Sequence, residues 1–284
     1  MRHRLAPYLL VLPGGLWLLL FFVVPMVTML SLSLQEGDIV NGYVFTFHWQ
    51  NYTDTIANYQ TQLVRSLAYG AIATLVLIVL AFPVAYRIAF HGGSRKSTFL
   101  FLLLLPFFVS FVLRTISWRW ILTDEGIVLG PLKDAGLLPD AFHLLGTPVA
   151  VISGLVYNFL PFMVLPIYVA LERIDPRVVE AARDLYASPA AAFRKVVLPL
   201  ALPGVFAGVL MTFVPASSDY VNSAVLGSSS TTMIGQVIQS QYLVSSNYPA
   251  ASALSFTLMA VLLIGVFLYA RLLGTEDVMK VAAR

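Results

Sequence analysis

Between Glu172 and Val197 the sequence runs ERIDPRVVEAARDLYASPAAAFRKVV, with acids and bases alternating among alanines. Asp175-Pro176 and Ser188-Pro189 each set a capping residue before a Pro that suits the first helical turn. They predict two short helices joined by a stiff turn, with Pro199 opening the helix that follows. Ala181, Ala182, Ala190, Ala191 and Ala192 let a foreign backbone come close, while Glu180, Asp184, Tyr186 and Ser188 supply polar contacts. The chemistry on offer is docking into a groove of another protein. A connector resting on anionic headgroups is a poorer match, because the acids break up the basic charge.

A second chemistry is charge recognition. Asp219 is the only acid between Asp184 and Glu276, with Tyr220 beside it and Ser217, Ser218, Asn222 and Ser223 nearby. These polar neighbours would keep the carboxylate ionised, so that it attracts cations and repels anions. The aromatic faces of Trp118, Trp120 and Tyr157 can add cation–π contacts of about 0.5–2 kcal/mol each, and Asp124 and Glu125 add charge. The three aromatics fit an interfacial belt equally well, and Asp124 and Glu125 fit a solvated loop.

Other chemistries lack their residues. There is no G-x-x-x-x-G-K-[ST] phosphate loop; Gly92-Gly93-Ser94-Arg95-Lys96-Ser97 has the wrong spacing and reads as a basic turn. His3, His48, His91 and His143 are scattered, no cysteine is present, and no G-x-S-x-G occurs. Nothing in this pattern binds a metal, a cofactor or nucleic acid.

The elements that carry these residues are set by hydropathy. Of the 284 residues 59% are hydrophobic and 11% charged, under half the usual charged share of about 25% in a soluble domain. Six apolar blocks are long enough to cross a bilayer: Tyr8 to Leu34, Leu67 to Phe90, Phe99 to Leu122, Pro148 to Leu171, Leu198 to Pro215 and Ala251 to Leu273. Arg2, His3 and Arg4 resemble the start of a signal peptide, but the apolar run after them is too long for one, so it reads as a retained helix. No block carries a charge near its middle, where an ion-coupled carrier would hold its ion ligands. With both termini in the cytoplasm, 13 of the 17 Lys and Arg residues fall on the cytoplasmic side. Arg65, Arg114, Arg119 and Lys133 fall outside. The net charge of +3 reflects that topology.

Glu180-Ala181-Ala182, then Tyr186, then Val196-Val197-Leu198-Pro199 resembles the coupling motif of permease subunits in binding-protein-dependent (type I) ABC importers. The spacing is kept, while Tyr186 stands where that family has Gly. Leu20-Phe21-Phe22-Val23-Val24-Pro25 and Ala81-Phe82-Pro83-Val84-Ala85-Tyr86 are similar to further segments of the family. Leu105-Pro106-Phe107-Phe108-Val109-Ser110, Leu113-Arg114-Thr115-Ile116-Ser117-Trp118, Tyr157-Asn158-Phe159-Leu160-Pro161-Phe162-Met163 and Met233-Ile234-Gly235-Gln236-Val237-Ile238 resemble the spermidine/putrescine permeases of PotB and PotH type.

The resemblance implies an all-α integral membrane protein with six transmembrane helices and cytoplasmic coupling helices. It implies one transmembrane domain over 1–284, with a first helix and outer loop at 1–62, a permease core at 63–273 and a coupling loop at 172–198. It implies a bacterial inner-membrane location and a small cationic cargo, a polyamine. The implied partners are a second homologous permease, two ATPase subunits that hold ATP-Mg, an extracytoplasmic solute-binding protein and membrane lipid. ATP hydrolysis would lie in the partners and not in this chain. Ala224 departs from a second acidic position common in the family. Another cargo (an opine, a phosphate ester or a metal chelate) stays open, and an ion-coupled carrier or membrane enzyme is the remote alternative.

Overall fold

The structure, a computed structural model, describes residues 11–272. The start of the first block, the end of the sixth at Leu273, and Arg2, His3, Arg4, Lys280 and Arg284 lie outside the described residues.

In hydrocarbon a backbone must satisfy its own polar groups, so the apolar blocks become helices. The first is α1 (Val11–Ser33). A hairpin follows, β1 (Gln35–Asp38) antiparallel to β2 (Gly42–Phe45), with Gln35 opposite Phe45. Asp38 closes its turn by accepting the N–H groups of Val40 and Asn41 at 2.8 and 2.7 Å. Then come α2 (Gln50–His91), α3 (Lys96–Leu104), α4 (Phe111–Leu122), α5 (Leu129–Asp134) and α6 (Pro148–Glu172). The segment from Glu172 to Val197 holds α7 (Pro176–Asp184) and the start of α8 (Pro189–Ser217). The chain finishes with α9 (Val221–Leu226), α10 (Ile234–Leu243) and α11 (Tyr248–Leu272). Five of these helices are long and apolar enough to span a membrane: α1, α2, α6, α8 and α11.

Two expectations need correction. The third block is not one straight crossing. Its two halves, Gly93–Phe108 and Phe111–Leu122, are bent by 91°. Pro106 brings no N–H to the ladder and Ser110 is extended at ψ 138°, so helical hydrogen bonding cannot run through. Nor does Pro199 open a new helix. The helix capped by Ser188 continues into the fifth span through a π turn at Phe193–Val197, and that widened turn accommodates a residue with no N–H to give.

Two compact units emerge. One takes in the chain up to Gln60 together with Val237–Val261; the other runs from Thr61 to Gln236 and resumes at Leu262. In the first, Asn51 Nδ2 donates to the carbonyls of Ser33 and Gln35, Tyr43 donates its hydroxyl to the Ser246 carbonyl at 2.6 Å, and Gln241 donates to Tyr59 at 2.8 Å. Between Val11 and Val24, α1 is exposed on every side, a helix that no other described residue covers.

The second unit holds the main core, centred on α6 and α8. Lipid tails are as apolar as leucine, so such helices associate through close packing more than through burial. Small residues make the approach possible. A Cβ on Gly204 of α8 would lie 2.5 Å from both the Pro166 carbonyl oxygen and the Ala170 Cβ of α6, and one on Gly208 would lie 2.6 Å from Met163 Sδ.

Candidate functional site

The segment from Glu172 to Val197, the candidate docking surface, is built from local capping chemistry. Asp175 Oδ1 accepts the Arg177 N–H at 2.9 Å, and Ser188 Oγ accepts that of Ala191 at 3.2 Å. Between them α7 closes as a Schellman turn: the Tyr186 N–H bonds the Arg183 carbonyl at 2.9 Å and the Ala187 N–H bonds that of Ala182 at 3.1 Å. That turn needs a left-handed residue, and Tyr186 takes φ +61°. Glu180, Ala181, Asp184, Ser188 and Pro199 are exposed and Ala182 is half-buried. Leu185 and Tyr186 stand out at 83% and 98% exposure, so the Tyr186 ring packs under nothing among the described residues.

A non-Gly residue in the left-handed region costs about 1–2 kcal/mol. Tyr186→Gly should therefore raise the thermal stability of the purified chain, since the ring makes no contact whose loss would offset that gain. A lower melting temperature would show that the ring stabilises the turn.

The outer candidates separate into three groups. Asp219, two residues past the end of α8, is 8% exposed, and its Oδ1 accepts the Asn222 N–H at 2.7 Å in the first turn of α9. It is thus neither on the open surface nor solvated. Burial pushes its carboxyl up to about 6, against the hydrogen bond from the Asn222 N–H. Tyr220, next to it, is half-exposed.

Trp118 and Tyr157 stack on each other across α4 and α6, with ring centroids 5.2 Å apart and planes within 3°. The Trp118 Nε1 donates to Ser153 at 3.2 Å. Trp120, Asp124 and Glu125 line one open cavity of about 1430 Å³, together with Arg119 and with Val225 of α9. Asp124 is not a free loop acid. It pairs with Lys133 at 3.2 Å and with His143 at 2.6 Å, and its hydrogen bond to His143 holds its carboxyl below the usual carboxylate range.

Sequence reading took Asn222 and Ser217 only as polar neighbours of Asp219 and passed over Asn158 and Thr115 as site residues, although both are buried beside Asn222. Asn158 of α6 donates through Nδ2 to Thr115 of α4 at 3.0 Å and to Asn222 Oδ1 of α9 at 3.1 Å. Gly154 admits α9 this closely: a Cβ there would lie 2.5 Å from Asn222 Oδ1. Asn158 Oδ1, Asn222 Nδ2 and Ser217 Oγ have no partner among the described residues. Arg114 is buried with its guanidinium 3.9 Å over the Phe107 ring, and its Nε and Nη1 are also without a hydrogen-bond partner there. Polar residues inside apolar blocks were the available signal. Among the described residues no cluster of acids and histidines could hold a metal.

The arrangement has relatives. Residues 62–273 match the family described as "Binding-protein-dependent transport system inner membrane component". The chain is 36% identical over 256 residues to the spermidine/putrescine transport system permease protein PotB of Haemophilus influenzae, covering 90% of each. It is 34% identical to the PotB protein of Escherichia coli, covering 90% of this chain and 93% of that one. In fold it resembles a chain of a bacterial ABC transporter involved in the import of the acidic polysaccharide alginate, with a TM-score of 0.71, 17% identity, and coverage of 95% of this chain and 96% of that one. Several membrane-spanning helices and a family match over three quarters of the length lead to one conclusion: this multi-pass membrane protein belongs to the binding-protein-dependent transport system inner membrane components, the permease subunits of ABC importers.

Proposed function

We propose that this chain is one of two permease subunits of an ATP-driven polyamine importer, taking up spermidine or putrescine. The observation that carries the cargo is the match to spermidine/putrescine permeases over nine-tenths of their length and its own. The exposed surface of Glu180, Ala181, Asp184 and Tyr186 is the contact for an ATPase subunit. Two such subunits bind ATP-Mg, and closure of their dimer pulls on α7. A solute-binding protein delivers cargo on the opposite face, near Trp120, Asp124 and Glu125. Both termini lie in the cytoplasm. Trp118, Tyr157 and Tyr220 offer aromatic faces along the route, and Asp219 supplies negative charge beneath α9.

Asp219→Asn tests this reading. Asn caps a helix start as well as Asp, so the variant removes charge and keeps the fold of α9. Losing one attractive charge of about 1 kcal/mol should raise the spermidine concentration for half-maximal uptake about fivefold. The pH dependence has a definite sign. The carboxyl is protonated and neutral below about 6 and ionised above it, so cation capture strengthens as the pH rises through that value. The variant should lose that component. Uptake that matches wild type at limiting spermidine would remove Asp219 from the route, and indifference of the assembled transporter to both polyamines would remove the cargo.

A second reading keeps the family and changes the cargo. The guanidinium of Arg114, whose Nε and Nη1 have no hydrogen-bond partner among the described residues, would favour a solute bearing an anionic group, such as an opine, a phosphate ester or a metal chelate. Uptake of such a solute in place of spermidine would establish it.

A further inference from the structure

At the end of α2 the chain reverses through Gly92-Gly93 into α3. Gly93 takes φ +52°, and a Cβ on Gly92 would lie 2.4 Å from the Ile88 carbonyl oxygen, so the turn is as tight as glycine allows. The reversal sets α3 beside the last turns of α2. Pro83, which brings no N–H to the ladder, lies inside α2 and lines the space between the two helices. Between them lies a groove of about 590 Å³ walled by Pro83, Val84, Phe99 and Leu102, with Arg87 and His91 on its rim.

The groove continues an exposed apolar stripe. Val76, Leu80, Val84, Arg87 and His91 recur at the three- and four-residue spacing of one helix face, and all are exposed. From Val76 to Arg87 the helix rises about 16 Å. That is close to one leaflet of hydrocarbon, half of a core of about 30 Å. Neither Arg87 nor His91 has an ion pair or side-chain hydrogen bond among the described residues; the Tyr86 ring stands 5.9 Å from that of His91. The surface is thus apolar over the length of an acyl chain and basic where a headgroup would stand.

We propose that this groove holds one anionic phospholipid, its acyl chain along α2 and α3 and its phosphate on Arg87 and His91. Free phosphate lacks the apolar tail that the remaining walls would bury, so the occupant is a lipid. Placing the site in the cytoplasmic leaflet rests on the orientation proposed above; lipid binding itself does not depend on the cargo.

The test uses the assembled transporter in vesicles of equal parts phosphatidylcholine and phosphatidylglycerol. A photoactivatable phosphatidylglycerol should label the α2–α3 groove, and native mass spectrometry should retain phosphatidylglycerol over phosphatidylcholine. One basic residue near a headgroup is worth about fivefold in lipid affinity, so Arg87→Gln should cut retention about fivefold. Val84→Trp, which fills the groove and leaves the charge, should abolish labelling. Excess inorganic phosphate should not compete. Equal retention by wild type and Arg87→Gln, or labelling that survives Val84→Trp, would overturn the proposal. So would labelling of the separated chain that vanishes on assembly, because the groove would then be a contact between subunits.

Discussion

Glu180→Arg should abolish uptake while the permease still reaches the membrane. Glu180 is exposed and joins no ion pair among the described residues, so reversal breaks nothing within the chain. Its local cost is small: like charges with Arg177 and Arg183 on the same helix face cost about 0.2–0.5 kcal/mol each. In a docked groove the cost is larger, because truncating or reversing a buried charge contact loses about 2–5 kcal/mol. That weakens the ATPase contact by at least about 30-fold. Copurification of the ATPase with wild-type and variant permease measures the effect directly, and ATP-driven uptake in vesicles measures its consequence. Unchanged copurification and transport would move the docking surface away from α7.

The other large effect belongs to the core. Gly204→Leu should destabilise the permease itself, whatever the cargo. A side chain at Gly204 meets the Pro166 carbonyl oxygen at 2.5 Å, and a backbone atom cannot swing aside as a side-chain tip can. α8 and α6 must separate, and overpacking of this kind costs about 1–3 kcal/mol or more. In a bilayer the lost close contact is not replaced by burial elsewhere, since lipid offers the same apolar surroundings. Gly204→Leu should appear as aggregated or degraded permease, or as a clearly lowered melting temperature in detergent, with Gly204→Ala intermediate. An unchanged melting temperature for Gly204→Leu would show that the two helices have room to part.

Much of the local structure between Glu172 and Val197 was legible in sequence because capping is local. Asp175 and Ser188 bond N–H groups two or three residues away, and Tyr186 stands where the turn demands a left-handed residue. The outer candidates were legible only as residue types. Asp124 reads as a loop acid until the fold brings Lys133 and His143 to it, and Trp118 reads as an interfacial aromatic until Tyr157 stacks on it from another helix.

The sequence by itself determined that the chain is a membrane protein, where its apolar spans lie, and which charged stretch folds as two capped helices joined by a tight turn. Backbone hydrogen bonding in lipid forces helices, and helix length, caps and charge bias are properties of contiguous residues. Only the tertiary structure decided the rest. It broke the third block by 91° at Pro106 and Ser110, ran α8 unbroken from Ser188 into the fifth span, and buried Asp219 under α9. It also joined Thr115, Asn158 and Asn222 from three helices into one buried polar seam. The physical reason is common to all of these. Which faces meet depends on the small residues at which helices approach, Gly154, Gly204 and Gly208 here, and their partners lie far away in the chain and close only in space.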